Sequence, residues 1–380
     1  MIRPRFAVPL AALALSVALA ACNATVPASK ADNGDTASTS ATKPFVATEV
    51  AKFNEPWAMA FLPGRNMVLV TEKSGTLKVY DLDSKQTATV SGVPKVDYGG
   101  QGGLGDVVLS PGFDNGANRT IYLSWAEAGE GDTRGAVVAS ADLAVGELDG
   151  ISASLSNLKI IWRQNPKVTG RGHYSHRMAF SPDGKYMFIS SGERQKMEPA
   201  QDTASDLGKI IRMDLATGKT EHWSMGHRNI LGLAFDAAGN LWDNEMGPQG
   251  GDEVNLIVQG KNYGWPKASN GSHYDGKDIP DHAPGDGFEA PKVWWNPSIS
   301  PSSLMIYSGN LFPQWKGDAF IGALSGQALI RVDLDGTAAK KAEQWDMGNR
   351  IREVEQGPDG AIWLLEDGKD GRLLRLTPAK

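Results

Sequence analysis

Four polar loops carry the residue types that could do chemistry. In Arg171-Gly-His-Tyr-Ser-His-Arg177, two histidines, His173 and His176, stand three apart in a stretch too rich in small residues for a helix. An imidazole there titrates near neutrality and can serve as a general base, or it can simply satisfy itself on backbone carbonyls. Met225-Gly-His-Arg-Asn229 sets Arg228 beside Asn229, a cationic fork and an amide suited to polar or carboxylate groups. Glu245-Met-Gly-Pro-Gln-Gly-Gly-Asp-Glu253, followed by Asn262-Tyr-Gly-Trp-Pro266, is dense in tight turns that expose carbonyls. Hard cations such as calcium take oxygen ligands of that kind. Gly247 and Pro248 could offer main-chain oxygens, and Glu253 with the carbonyl of Tyr263 could form a second, structural site; the spacing is not that of an EF-hand. In Asn349-Arg-Ile-Arg-Glu353, Arg350 and Arg352 are two apart in a strand-like stretch and share a face. They repel one another unless an anion sits between them, or they are surface arginines on an exposed edge.

The elements that position these loops read as hairpins. Trp57–Gly64 with Met67–Thr71, Asp106–Gly112 with Thr120–Ser124, and Arg177–Gly184 with Tyr186–Ser190 repeat one phrase. Leu231–Gly239 with Leu241–Trp242 and Val354–Gly360 with Ala361–Leu365 repeat it again, and Asp318–Gly322 with Ala328–Val332 is a degenerate copy. Each is an apolar strand, a turn of Pro-Asp-Gly or Ala-Gly type, and a second apolar strand. Six copies at intervals of about 45–75 residues predict an all-β fold, a six-bladed β-propeller of four-stranded antiparallel sheets. The irregular intervals predict long loops leaving particular blades, where sites are usually built.

The ends of the chain read differently. Arg3 and Arg5 precede the uncharged apolar run Phe6–Ala18, and Leu19-Ala20-Ala21-Cys22 closes it with the chain's single cysteine. Residues 1–21 therefore read as a signal peptide too short for a membrane span, and Cys22 resembles the lipid-modified cysteine of a bacterial lipobox. That places the protein in the bacterial cell envelope, periplasm-facing or anchored at the outer membrane. Residues 22–43, lacking aromatics and nearly all large aliphatics, read as a disordered tether, and 44–380 as the globular domain. The formal net charge of −6 becomes −8 once the two signal arginines are gone, and no basic stripe points to nucleic acid.

Taken in order, the loops are more specific than any one alone. Gln101-Gly-Gly-Leu-Gly-Asp106, Gly-His-x-x-x-Arg, Gly-His-Arg-Asn, Gly-Pro-x-x-Gly-Asp-Glu with Asn-Tyr-Gly-Trp-Pro, and Arg-x-Arg-Glu resemble the soluble glucose/sorbosone dehydrogenases that use pyrroloquinoline quinone (PQQ) and calcium. The aldose sugar dehydrogenase branch is most similar, over nearly all of the chain from Pro44. The resemblance implies a quinoprotein dehydrogenase that oxidises the anomeric carbon of an aldose to the lactone, passing hydride to the quinone. It implies His173 as general base, with Gln101 beside base and substrate. Arg228 and Asn229 would bind the cofactor, the arginine also stabilising charge on the reduced quinone oxygen. The carbonyls of Gly247 and Pro248 would hold calcium, and Arg350 and Arg352 would neutralise the cofactor's carboxylates. The Ser298-Ile-Ser-Pro-Ser302 loop resembles one lying along the cofactor, so Ser298 is a further expected contact. Two departures stand out: Ser325 where some members carry a cofactor-binding lysine, and His176 where a small residue is usual. Two other classes fit the hairpins: a propeller binding lipoprotein without cofactor, and a calcium-dependent hydrolase of lactonase type with carboxylates converging on the central channel. The sugar and the electron acceptor are not legible.

Overall fold

A computed structural model describes residues 38–39, 42–147 and 150–379 of the 380-residue chain. The signal peptide and Cys22 lie outside the described residues. Those described form an all-β protein, with two short 3-10 turns, Glu198–Gln201 and Pro313–Trp315, as its helical elements. Among the described residues no helix is long and apolar enough to cross a membrane.

The hairpin phrases become the inner strands of four-stranded antiparallel meanders. One runs through Ser175–Phe180, Tyr186–Ser191, Lys209–Asp214 and Thr220–Met225; the next through Ile230–Phe235, Leu241–Glu245, Asp252–Ile257 and Val293–Trp295. Pro301–Ile306, Ala319–Ala323, Ala328–Asp335 and Ala338–Asp346 follow in the same order. The degenerate fifth phrase is thus displaced by one strand: Asp318–Gly322 and Ala328–Val332 fall on second and third strands, and Pro301–Ile306 is the first. Two further meanders, Pro56–Ser91 and Leu104–Arg163, join through a short parallel contact of Val90–Ser91 with Ala153–Ser154. The last sheet is closed by both ends of the chain, because Phe45–Phe53 pairs antiparallel with Gly371–Pro378. Ser38–Thr39, inside the segment read as tether, pairs in parallel with Glu343–Gln344 at the open edge of another sheet.

Each first strand lies against the first strand of the next sheet, and Ile351–Gln356 lies against Pro56–Leu62, so the first strands close a ring. Facing sheets bury second strands such as Met67–Glu72 along their whole length, whereas the outer strand Thr87–Ser91 is largely exposed. That accounts for continuous apolar runs inside and polar alternation outside.

The ring also buries charge. The Arg177 guanidinium donates to Asp106 Oδ1 at 3.2 Å, to the Leu231 carbonyl at 2.7 Å, and to Glu353 Oε2. It also stacks 4.2 Å from the centre of the Trp57 ring. One side chain so ties together five first strands. Arg177→Met strands two buried carboxylates, and breaking a buried pair on one side typically costs about 3–5 kcal/mol. We expect the urea midpoint of this variant to fall by that equivalent; a loss below about 1 kcal/mol would mean the network does not hold the ring.

Candidate active site

Glycines and left-handed residues shape the loop before Ser175–Phe180. Gly170 has φ +92°, and His173, Ser175 and His176 take φ values of 48°, 66° and 76°. At Gly192, in the facing loop, a Cβ would lie 2.0 Å from the His173 carbonyl oxygen, so only glycine permits this approach. The two loops thereby bring Glu193 against His173. The His173 imidazole Nδ1 is paired with Glu193 Oε1, and His173 is 6 % exposed. The backbone N–H groups of Lys196 and Met197 hold the other carboxylate oxygen, each at 2.5 Å. Burial lowers the His173 pKa, and the charges of Arg228 and Arg194 lower it further, against the opposing pull of Glu193. The imidazole is therefore neutral at pH 7. With the Nδ1 proton assigned to the Glu193 hydrogen bond, Nε2 carries the lone pair.

Gln101 reaches the base through its backbone: Oε1 accepts from the His173 N–H at 2.7 Å. His176, where a small residue is usual, packs on Tyr174. It stacks on Tyr174 at 5.3 Å and meets Trp57 edge-on, and burial pulls its pKa down to about 3.

A cavity of about 410 Å³ occupies one mouth of the ring, lined by Lys73, Gln101, Asn229, Ser300, Arg350 and Arg352 among others. A smaller one of about 180 Å³ adjoins it through Tyr274 and contains His173, Glu193, Arg228 and Pro248. Gln101, Asn229, Arg350 and Arg352 thus line one space, and His173, Arg228 and Pro248 its neighbour. Arg228 donates to the Met246 carbonyl at 3.0 Å and to the Tyr274 hydroxyl at 3.1 Å, while its buried Nε has no partner among the described residues. Asn229 Oδ1 accepts from the Ser175 N–H at 3.2 Å.

Arg350 and Arg352 do converge, and the anion between them belongs to the protein. Arg350 donates to Asp367 Oδ2 at 2.8 Å and Arg352 to Oδ1 through two nitrogens. Burial would raise the Asp367 pKa, but the charge of Arg352 and the hydrogen bonds of both arginines hold it below the ordinary 3.8. Asp367 thus neutralises one positive charge of the pair internally.

Ser298 contacts the loop that follows Pro248. Its hydroxyl accepts from the Gly250 N–H at 2.9 Å, and Ser300, two residues on, lines the cavity instead. The Ser325 hydroxyl donates to Ser300 Oγ at 2.8 Å and sits behind it.

The Gly-Pro loop is anchored by Asp252, whose Oδ1 accepts from the Gly247 N–H at 2.8 Å and whose Oδ2 holds the Ile299 and Ser300 amides. Behind it lies a buried acidic cluster that composition alone did not reveal. Glu245 and Glu253 are cross-strand partners, as are Asp243 and Asn255, so their side chains share one face. Ligand atoms of His227, Asp243 and Glu245 lie within 4.8 Å of one another. Burial drives the Asp243 and Glu253 pKa values well upward, and Glu245 adds to both. A void of about 10 Å³, the size of one water or ion, is lined by Glu245, Gly247, Glu253 and Tyr263. Glu253 and Tyr263 thus line one small space. Carboxylates also face a second cavity of about 310 Å³ at the other mouth, through Asp106, Glu353 and Glu355, and two of these three are the partners of Arg177.

Residues 53–375 match the Glucose / Sorbosone dehydrogenase family. The chain belongs to that family. It is 37% identical to the aldose sugar dehydrogenase of Escherichia coli over 347 residues, covering 86% of this chain and 91% of the relative. The apo-form crystal structure of the E. coli soluble aldose sugar dehydrogenase superposes with a TM-score of 0.81 at 36% identity, covering 88% of this chain and all of that one. A PQQ-bound aldose sugar dehydrogenase from Streptomyces coelicolor gives 0.71 at 28% identity, over 88% of this chain and 98% of its own. In this family context Glu193 is the residue that sequence reading missed. Its signal was a Gly-Glu pair directly after the strand Tyr186–Ser191, the glycine required by close approach to the base.

Proposed function

We propose that this protein is a quinoprotein oxidoreductase that oxidises the anomeric carbon of an aldose to the lactone, on a six-bladed propeller. The observation that carries the reading is the neutral His173, fixed by Glu193 and Gln101, beside a cavity walled by Arg350, Arg352 and Lys73. A planar polycarboxylate such as PQQ matches that wall in charge, and the unpartnered buried Nε of Arg228 matches an acceptor on a ligand. When bound, PQQ supplies the two-electron acceptor for the anomeric hydride, with calcium polarising its carbonyl. His173 Nε2 takes the proton of the anomeric hydroxyl, and Glu193 stabilises the imidazolium that results. Arg228 and Asn229 hold the cofactor, and Arg228 offsets negative charge on it. Arg350 and Arg352 bind its carboxylates with the charge left over after Asp367 is paired. The carbonyls of Gly247 and Pro248 would hold calcium, Pro248 lining the base cavity and Gly247 the small void. Glu253 and the carbonyl of Tyr263 are the ligands of a second, structural calcium, supported by the ion-sized void and by the carboxylates crowded around it. Residues 1–21 direct export, and lipid on Cys22 holds the enzyme in the cell envelope.

Apo-protein given PQQ and calcium should show the quinone absorbance change on addition of an aldose. Chelation and dialysis should abolish the change, and calcium should restore it. An unchanged spectrum with a panel of aldoses would refute the activity; full turnover in excess chelator, with PQQ supplied, would refute the role of calcium.

A further inference from the structure

Directly after Glu193 stands an arginine that none of the site roles above uses. Arg194 is completely buried, and it forms no ion pair with any carboxylate among the described residues. Its hydrogen bonds go to carbonyls: Nε to Gly172 at 2.8 Å, Nη2 to Gly170 at 2.6 Å and Nη1 to Arg134 at 2.6 Å. The guanidinium also lies 3.7 Å from the centre of the Tyr174 ring, and the Arg194 N–H donates to the His173 carbonyl at 3.2 Å. Four contacts, to residues 170, 172, 173 and 174, therefore come from one residue.

Those contacts fall on strained backbone. His173 has φ 48° on one loop; Arg194, Gln195 and Met197 have φ 62°, 58° and 60° on the other. Non-glycine residues in this region persist only where the surroundings over-determine them. At Gly172 a Cβ would meet the Gln195 side chain at 2.4 Å, so the loops interlock there too. The three carbonyls are served by three different nitrogens of the guanidinium, and a lysine, whose donors all leave one nitrogen, cannot reproduce those positions.

We infer that Arg194 is a positioning residue for the base: it fixes residues 170–174 from behind and so sets the placement of the His173 imidazole. The inference rests on the assignment of His173 as the base for its kinetic consequence, and on geometry alone for its structural one. The charged and titratable groups around the imidazole are Glu193, Arg228, His273 and Arg194 itself.

The test uses Arg194→Met, which keeps an unbranched buried side chain, and has two arms. In apo-protein without sugar or cofactor, the NMR titration of His173, assigned by its absence in His173→Asn, is expected to move up by about one unit as charge and burial are lost. In reconstituted enzyme, kcat is expected to fall about tenfold to a hundredfold with KM changed less than about threefold, the signature of a misplaced group. If Arg194→Met does not fold, Arg194→Lys takes its place: it keeps the charge, so kcat should fall at nearly unchanged midpoint. A folded Met variant with wild-type midpoint and kcat, lower only in thermal stability, would overturn the inference, as would full kcat in the Lys variant. A fully active His173→Asn protein would remove the base assignment, while the apo-protein titration would still report whether Arg194 holds the loop.

Discussion

Sugar oxidation by the His173→Ala protein is expected to fall by about two to four orders of magnitude, the usual worth of a positioned general base. PQQ affinity should change little, because Arg350 and Arg352, which would hold its carboxylates, line the neighbouring cavity and the substitution leaves both in place. The pH dependence follows from the lowered His173 pKa. The base form persists below the ordinary histidine value of 6.5, so kcat/KM should stay on its plateau from neutrality to below that pH and then fall as His173 protonates. Glu193→Gln sharpens the test. It removes the one group that raises the His173 pKa, so the acid limb should move to still lower pH while the plateau drops, since the amide no longer stabilises an imidazolium. Equal activity in wild-type and His173→Ala proteins, with His176→Ala impaired instead, would transfer the role to His176. The structure argues against that transfer: His176 is stacked on Tyr174 and against Trp57, and neither ring nitrogen has a partner among the described residues.

Why His173 was legible and Glu193 was not is a matter of what local pattern encodes. A histidine between glycines in a loop announces itself by residue type, as do paired arginines and a Gly-Pro turn. The strand phrases were equally readable because turn chemistry and apolar runs are local. Partners are not. Glu193 meets His173 only because Gly192 lets two loops touch, and Asp367 meets Arg350 and Arg352 across the turn that follows Ile362–Glu366. The acidic cluster depends on the register that sets Glu245 opposite Glu253, and a strand's own alternation says nothing of register. The displaced fifth phrase has the same origin. Pro301–Ile306 begins with Pro-Ser-Ser and reads as loop, yet it is the inner strand, its Ser302 and Ser303 hydroxyls bonded to the Ile351 carbonyl and the Val354 N–H. Polar residues buried in an inner strand are satisfied by the neighbouring sheet, which propensity cannot anticipate.

The arginine pair yields the other large effect, and Asp367 changes its form. Arg350→Gln or Arg352→Gln removes one charge-assisted contact to a polycarboxylate, worth about 1.5–3 kcal/mol, or roughly a tenfold to hundredfold rise in Kd for PQQ. The double variant should lose more than either, though not additively, because all three side chains share one network. On sequence alone the double change would relieve repulsion and stabilise the apo-protein. The opposite is now expected: it strands the Asp367 carboxylate, whose side chain is only 21% exposed, without either partner. Asp367 has a depressed folded-state pKa, so its contribution is present above 3.8 and is lost as pH falls through the lower folded value. The double variant should therefore unfold at lower urea than wild type at pH 7, and the two curves should approach one another below about pH 4. Asp367→Asn separates the charges from the scaffold. Freed of their internal anion, the two arginines present more positive charge to the cavity, so PQQ should bind that variant at least as tightly as wild type, provided the amide still holds the guanidinium groups in place. Equilibrium titration of the apo-proteins with the quinone measures all four. Unchanged Kd in both single arginine variants would make Asp367 the sole partner of the pair and remove the cofactor's carboxylates from this end of the cavity.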